Sequence, residues 1–147
     1  RFYFDLIKHQ ESLKKGQTPW TPALSLFYQL ELALNKLKSE GMDNVIARHA
    51  TCAEKARNGI KALGFELLAQ EGYESNAVTA IKAPEGLDVS TLLKTASEEF
   101  DTAFAGGQGS LGGKIFRFGH LGFVTETDID NGLNVLTKSL EAIGFRN

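Results

Sequence analysis

The order in which helical and strand-like hydrophobic patterns follow one another most constrains the fold of this chain. Two long stretches, 23–39 and 43–63, repeat apolar residues at the three- and four-residue spacing of amphipathic helices. Further helical patterns begin at Asp88 and Thr125. Four short strand-like segments lie between the helical stretches: 65–68, 76–83, 102–105 and 114–118. Because strands and helices do not alternate regularly, the pattern predicts an α+β fold in which helices cover one side of a small, mostly antiparallel sheet.

The composition is that of an ordinary globular protein, and it narrows the range of partners. The 147 residues are 42% hydrophobic and 23% charged, which suits one domain with a core and excludes an intrinsically disordered chain. No apolar run approaches the ~20 residues of a membrane-spanning helix, and a net charge of −2 favours neither nucleic acid nor anionic lipid. The single cysteine, Cys52, fits a reducing compartment such as the cytoplasm. One cysteine and three histidines make a structural metal site unexpected.

The glycine-rich segment 106–113 is the most conspicuous local motif. Gly107, Gly109 and Gly112 match the GxGxxG spacing of dinucleotide-binding loops. Such a loop must lead into a helix, whereas this segment leads into the strand pattern at 114–118, and Lys114 is followed by Ile rather than Ser or Thr as in a phosphate-binding loop. We therefore predict a mobile connection between strands that becomes ordered when a ligand binds.

Arg117 is the strongest candidate for a binding residue. It lies inside an apolar strand between Phe116 and Phe118, where a guanidinium must be paired or must face a cleft. Its planar fork of donors suits bidentate capture of a carboxylate. A salt bridge to a neighbouring acidic residue explains the position equally well, and the sequence leaves both explanations open.

His120 and Cys52 are predicted to have structural roles. His120 stands between Gly119 and Gly122 and is predicted to hydrogen-bond a turn. Cys52 lies among alanines within a helical pattern, which is typical of a small core residue rather than of a nucleophile. His9 and His49 lie on helical stretches and are assigned no role.

Thr18 precedes Pro19 and Thr21 precedes Pro22, and the two prolines preclude a helix interior. Hydroxyl groups at a helix start are suited to contact an anion, although helix capping by Thr21 is the commoner use of such a residue. From these residues alone, the chain is predicted to be an α+β domain that binds an anionic group.

Three segments together resemble a known family. They are 17–34, the run of Arg48, Ala53, Arg57, Gly59 and 62–67, and the motif 113–122 around Arg117. The chain resembles the class V aminotransferases, which are fold-type I pyridoxal-phosphate enzymes. It is most similar to the alanine–glyoxylate and serine–pyruvate branch, some cyanobacterial members of which are called soluble hydrogenase small subunits.

The resemblance implies a role for each matching residue. Arg117 matches the arginine that binds the substrate α-carboxylate, and Thr21 matches the threonine that contacts the cofactor phosphate, typically in the neighbouring subunit's site. Thr18 stands where another polar residue of the cofactor site often lies. His120 falls in a Gly-His-x-Gly turn that is taken as structural. The expected cofactor is pyridoxal phosphate, the substrates are small amino acids and 2-oxo acids, and the expected assembly is a homodimer.

One departure from the family limits what this chain does by itself. The lysine that binds the cofactor covalently lies tens of residues before the Thr-Pro motif, in the large domain, and Lys8, Lys14 and Lys15 are not in that setting. The chain also begins at Arg1 with residues typical of a protein interior, so we expect a segment of a longer protein. The resemblance implies that 1–22 is the junction from the large domain and 23–147 the C-terminal small domain. It contains no catalytic residue and is expected to be inactive in isolation.

A second hypothesis uses the same residues without the large domain. A free-standing α+β module that binds or senses small carboxylates would also place an arginine in an apolar strand beside a glycine-rich loop. Real affinity of the 147 residues for amino and oxo acids would favour this module.

Overall fold

The computed structural model of the protein describes residues 2–145. It contains five α-helices and three β-strands: α1 (Leu6–Leu13), α2 (Leu24–Glu40), α3 (Met42–Ala62), β1 (Val78–Lys82), α4 (Val89–Phe100), β2 (Ala105–Gly106), β3 (Ile115–Gly119) and α5 (Glu126–Ala142). Short 3-10 turns lie at Phe2–Phe4 and Gly109–Leu111. The α+β class, the antiparallel sheet and the long helices are as predicted.

The chain divides into two compact units, Arg1–Met42 and Asp43–Asn147. In the first unit, a small aromatic group joins the start of the chain to α1 and to the segment before α2. It consists of Phe2, Tyr3, His9 and Trp20, and its contacting rings have centroids 4.9–5.3 Å apart. No residue of α1 or α2 is buried. The predicted boundary at residue 22, between the junction and the small domain, lies between these two helices.

The second unit contains the sheet, in the order β1-β3-β2, with both pairs antiparallel. Alternation along the strands puts Ile81, Phe116 and Phe118 on one face, and all three belong to the core that α3, α4 and α5 complete. The helices approach closely because glycines leave room: a Cβ on Gly132 would lie 2.5 Å from the ring of Phe118. Helices therefore cover this face of the sheet, as the sequence predicted.

Capping residues set several helix boundaries. The side chain of Asp88 accepts hydrogen bonds from the backbone N–H groups of Ser90 and Thr91 at the start of α4. Thr125 and Asp128 form a reciprocal capping box at the start of α5. Both starts agree with the sequence patterns that begin at Asp88 and Thr125.

Two predicted strands are shorter than expected. The segment 65–68 forms only a bridge between Leu67 and Ile81 rather than a strand. In the segment 102–105, only Ala105 pairs. The left-handed conformation of Asp101 and the bond from Thr102 N to the carbonyl of Ala96 cap the end of α4, so the start of this segment belongs to the helix cap rather than to the sheet.

Candidate functional site

Arg117 occupies the middle of the central strand, on the sheet face opposite the core. Its ladder partners are Ala80 on β1 and Ala105 on β2, so the residue is flanked on both sides by the smallest side chain that carries a Cβ. Strand alternation separates it from Phe116 and Phe118, which point into the core. The apolar strand predicted around Arg117 is therefore confirmed, and its side chain lies on the face opposite the core.

One hydrogen bond orients the guanidinium of Arg117. Its Nε donates to the carbonyl oxygen of Gly106 at 2.9 Å. Within residues 2–145, no ion pair involves Arg117, so the salt bridge that the sequence also allowed is not formed there. The terminal amino groups have no protein partner in the same range, and the side chain is only partly buried. The arginine thus presents two parallel donors, which is the geometry that a carboxylate accepts.

The glycine-rich segment supplies the carbonyl that holds Arg117. After β2 the chain makes the 3-10 turn Gly109–Leu111 and returns, with Gly107 N donating to the carbonyl of Ile115 at 3.1 Å. A Cβ on Gly107 would overlap the carbonyl of Leu111 and lie 2.8 Å from the side chain of Ile115. The segment leads into β3 and not into a helix, which agrees with the rejection of a dinucleotide site. Its predicted ordering by a ligand stays a prediction.

His120 is fully buried at the end of β3 and makes three hydrogen bonds. Nε2 lies 2.8 Å from Oγ1 of Thr79, Nδ1 lies 3.2 Å from the carbonyl oxygen of Asn76, and the backbone N donates to the carbonyl of Ala77 at 2.9 Å. A carbonyl only accepts, so Nδ1 carries the proton and Nε2 accepts from the Thr79 hydroxyl. Burial lowers the pKa of His120 and keeps the ring neutral. The predicted structural hydrogen bonding is confirmed and extends beyond the turn itself.

Two arginines of α3 hydrogen-bond to loops of the second unit, and the sequence analysis did not identify this role. Arg57 Nη1 donates to the carbonyl of Ser75 at 3.1 Å and lies 3.4 Å from Oδ1 of Asn76. Arg48 Nη1 donates to the carbonyls of Gly122 and Val124, and its guanidinium carbon lies 5.4 Å from the Phe123 ring centroid. Their occurrence in the helix run that resembles the family was the only signal, and it gave them no role.

Thr18 and Thr21 belong to the first unit, and their hydroxyl groups differ in hydrogen bonding. The hydroxyl of Thr18 donates to the carbonyl of Trp20 at 2.6 Å. Thr21 is exposed and forms no hydrogen bond within the described residues. Helix capping by Thr21 is wrong: α2 begins at Leu24 after Ala23, with no side-chain cap, because the bond from Leu24 N to the carbonyl of Pro22 turns the chain two residues later.

The core position predicted for Cys52 is confirmed. Cys52 is completely buried in the core, and burial raises the pKa of its thiol, which disfavours a nucleophilic thiolate. The ring nitrogens of His9 and His49 lie 3.1 and 2.8 Å from the carbonyls of Tyr3 and Val45. Residues 2–145 contain no group of three or more His, Cys, Asp or Glu side chains that could hold a metal ion. Over the same range, no helix combines the length and apolarity needed to cross a membrane.

The chain is similar in sequence and in structure to several known proteins. No family model matches the chain. The soluble hydrogenase small subunit of Synechococcus sp. is 38% identical over 147 residues, which are 100% of this chain and 38% of that protein. The serine–glyoxylate aminotransferase of Hyphomicrobium methylovorum is 38% identical over 95% of this chain and 34% of its own length. The pyridoxamine–pyruvate aminotransferase of Mesorhizobium loti superposes with a TM-score of 0.82 and 32% identity, over 87% of this chain and 33% of that one.

The fold and these relatives together define the class. The three-stranded antiparallel sheet covered by helices is a fold that the chain shares with solved fold-type I aminotransferases. The chain is homologous to part of the class V aminotransferases and spans about 38% of the length of the curated relatives it matches.

Proposed function

We propose that the chain is the C-terminal small domain of a pyridoxal-phosphate-dependent aminotransferase. The parent enzyme would transfer an amino group from a small amino acid such as alanine or serine to glyoxylate or pyruvate. Support comes from the names of the relatives and from the share of their length that this chain covers. The single buried cysteine supports the cytoplasm as the compartment.

The contribution of this domain would be to bind the substrate carboxylate through Arg117. The bond from Nε to the Gly106 carbonyl fixes the plane of the guanidinium before substrate arrives, so less conformational entropy is lost on binding. Both terminal amino groups of Arg117 would then donate to the two oxygens of one carboxylate. The ladder partners of Arg117 are the alanines at 80 and 105, so neither neighbouring strand places a long side chain directly beside it. This pre-oriented, unpaired guanidinium is the observation that carries the proposal.

Two residues of this chain, Thr21 and Thr18, are candidates for contact with the cofactor. Thr21 fits the phosphate of pyridoxal phosphate because its hydroxyl is exposed and without a protein partner in the described part of the chain. Thr18 fits less well, since its hydroxyl proton is already given to the carbonyl of Trp20 and only its lone pairs remain. When bound, the cofactor supplies an electron sink for the bond changes at the substrate α-carbon. The lysine that anchors it would come from the large domain.

The surface of α2 supports a larger assembly. Its apolar side chains are 49–68% exposed: Leu24, Leu26, Phe27, Tyr28, Leu30, Leu32 and Leu34. An apolar surface of this extent is unusual for a free monomer, because water-exposed apolar area promotes association. We infer that the large domain or the second subunit of a homodimer covers it.

The first test of the proposal is made on the full-length protein encoded around these residues. The coding sequence upstream of Arg1 should specify a cofactor-binding domain of roughly 200 residues with a lysine and an aspartate for the cofactor. In that protein, Arg117→Ala should raise KM for pyruvate and for L-alanine by about 10²-fold while leaving cofactor affinity unchanged, because a charge-assisted bidentate contact is lost. An unchanged KM would remove the assignment of Arg117. An upstream start codon with no such domain would favour the free-standing carboxylate-binding module.

A further inference from the structure

We propose that the His120–Thr79 pair positions Arg117 by locking the register of β1 against β3, an inference that rests on the proposed function of Arg117. Both residues are buried at one end of the sheet, and neither would touch substrate or cofactor.

The hydrogen bonds of His120 all reach the start of β1 and the loop before it. Side chain and backbone together contact Asn76, Ala77 and Thr79, while Thr79 itself pairs with Phe118 in the ladder. The next residue along β1 is Ala80, the ladder partner of Arg117. Because a one-residue slip would move every β1 side chain to the opposite face, this contact keeps Ala80 beside Arg117.

Arg57 extends the lock to α3. It holds the carbonyl of Ser75 and lies within 3.5 Å of the Asn76 amide oxygen, on the same loop that His120 contacts through the Asn76 carbonyl. The loop is thus fixed from both sides. On the other edge of β3, the Gly106 carbonyl fixes the guanidinium directly. Arg117 is consequently held between two fixed edges.

The neutral form of His120 suits this pair. Burial is the main cause that lowers the pKa of the ring, and the positive charge of Arg57 on α3 acts in the same direction. In this form Nε2 accepts from the Thr79 hydroxyl while Nδ1 donates to the carbonyl of Asn76. An imidazolium would instead donate from Nε2 to the Thr79 oxygen, so protonation reverses the direction of the bond without removing it.

The experiment uses the full-length enzyme with pyruvate and L-alanine as the probes. Thr79→Val removes the hydroxyl but keeps the branched shape, and Thr79→Ser is the matched control that keeps the hydroxyl. We expect Thr79→Val to raise KM for both probes about tenfold with kcat changed less than about twofold, since a small misplacement of a binding group is costly. Thr79→Ser should restore KM to near the wild-type value.

A double variant separates positioning from general destabilisation. If Thr79 acts through Arg117, then Thr79→Val added to Arg117→Lys should raise KM no further than Arg117→Lys alone. Additive effects, or an unchanged KM in Thr79→Val, would overturn the inference while leaving the role of Arg117 intact. An unchanged KM in Arg117→Lys would instead overturn the proposed function, and the inference with it.

A second variant covers the case in which Thr79→Val does not fold. His120→Asn keeps an amide donor for the carbonyl of Asn76 but leaves no ring nitrogen for Thr79. It should raise KM as Thr79→Val does. An unchanged KM in a folded His120→Asn variant would overturn the inference.

Discussion

Arg48 Nη1 donates to the carbonyl oxygen of Val124 at 2.8 Å and thereby links α3 to the segment between β3 and α5. The same nitrogen donates to the carbonyl of Gly122 at 3.0 Å. One arginine therefore satisfies two backbone carbonyl oxygens that form no hydrogen bond within a strand or helix. Phe123, between them, is 70% exposed and lies against the guanidinium. The segment that follows the Arg117 strand is therefore held by a side chain from a helix more than seventy residues earlier.

Replacement of Arg48 tests this link. Arg48→Met keeps much of the aliphatic stem but removes the donors, and we expect the free energy of unfolding to fall by about 1–3 kcal/mol because two acceptors lose a charged partner. Arg48→Lys should lie between the wild type and Arg48→Met, since an ammonium keeps the charge without the planar fork. Urea unfolding of the 147-residue chain, followed by circular dichroism, measures both. Equal stability of Arg48→Met and the wild type would show that the link contributes nothing.

Gly107 tests the close packing of the glycine-rich segment. A Cβ there would lie 2.6 Å from the carbonyl carbon of Leu111, which is backbone and cannot rotate away. We expect Gly107→Ala to cost about 1–3 kcal/mol, as overpacking usually does. Gly112→Ala is the matched control, because Gly112 has an ordinary φ of −54° and its nearest neighbour for a Cβ is at 3.3 Å. Thermal unfolding of the two variants should differ clearly; similar melting temperatures would contradict the close contact.

The stability of the chain should depend on pH through His120. Folding lowers the pKa of this imidazole, so the unfolded chain binds the proton more readily. The corresponding stability is fully present above the ordinary imidazole pKa of about 6.5 and is lost as pH falls through the lower pKa of the folded state. Urea unfolding at a series of pH values should show this decline in the wild type. In His120→Asn the same interval should be flat, and a matching decline there would assign the effect to other groups.

The capping box of α5 provides a separate test at lower pH. The hydroxyl of Thr125 donates to Asp128 at 2.7 Å, and this bond holds the pKa of the Asp128 carboxyl below its usual value. Thr125→Ala should return that pKa towards the ordinary value and destabilise the chain by about 1 kcal/mol, whereas Thr125→Ser should preserve both. NMR titration of the Asp128 side chain measures the first effect and urea unfolding the second. An unchanged pKa of Asp128 in Thr125→Ala would refute the assigned cause.

Local pattern was sufficient for much of the fold and for one site residue. The stripes of α3 and α5 predicted buried faces, and Ile60 and Leu136 are completely buried. The alternation along β3 placed Arg117 on the face opposite Phe116, because successive side chains of a strand must point in opposite directions. The Asp88 cap was also evident, since a capping side chain bonds to backbone two or three residues away.

Pattern failed where the outcome depended on distant backbone. The segments 65–68 and 102–105 have strand-like residues, but pairing requires a neighbour in register, and only Leu67 and Ala105 find one within those segments. Thr21 looked like a helix cap, yet the turn from Pro22 to Leu24 moved the helix start past it. Each of these decisions rests on hydrogen bonds whose partner the segment itself does not contain.

The sequence by itself determined the class of fold, the faces of its helices and strands, and the arginine within an apolar strand, because these follow from periodicity and from the cost of burying charge. Only the tertiary structure decided that Arg117 lacks an acidic partner in the described chain and takes the Gly106 carbonyl instead. It alone joined His120 to Thr79, which lies 41 residues away in the sequence. The partners in such contacts lie far apart in the sequence and meet only when the whole unit packs, so no single segment predicts them.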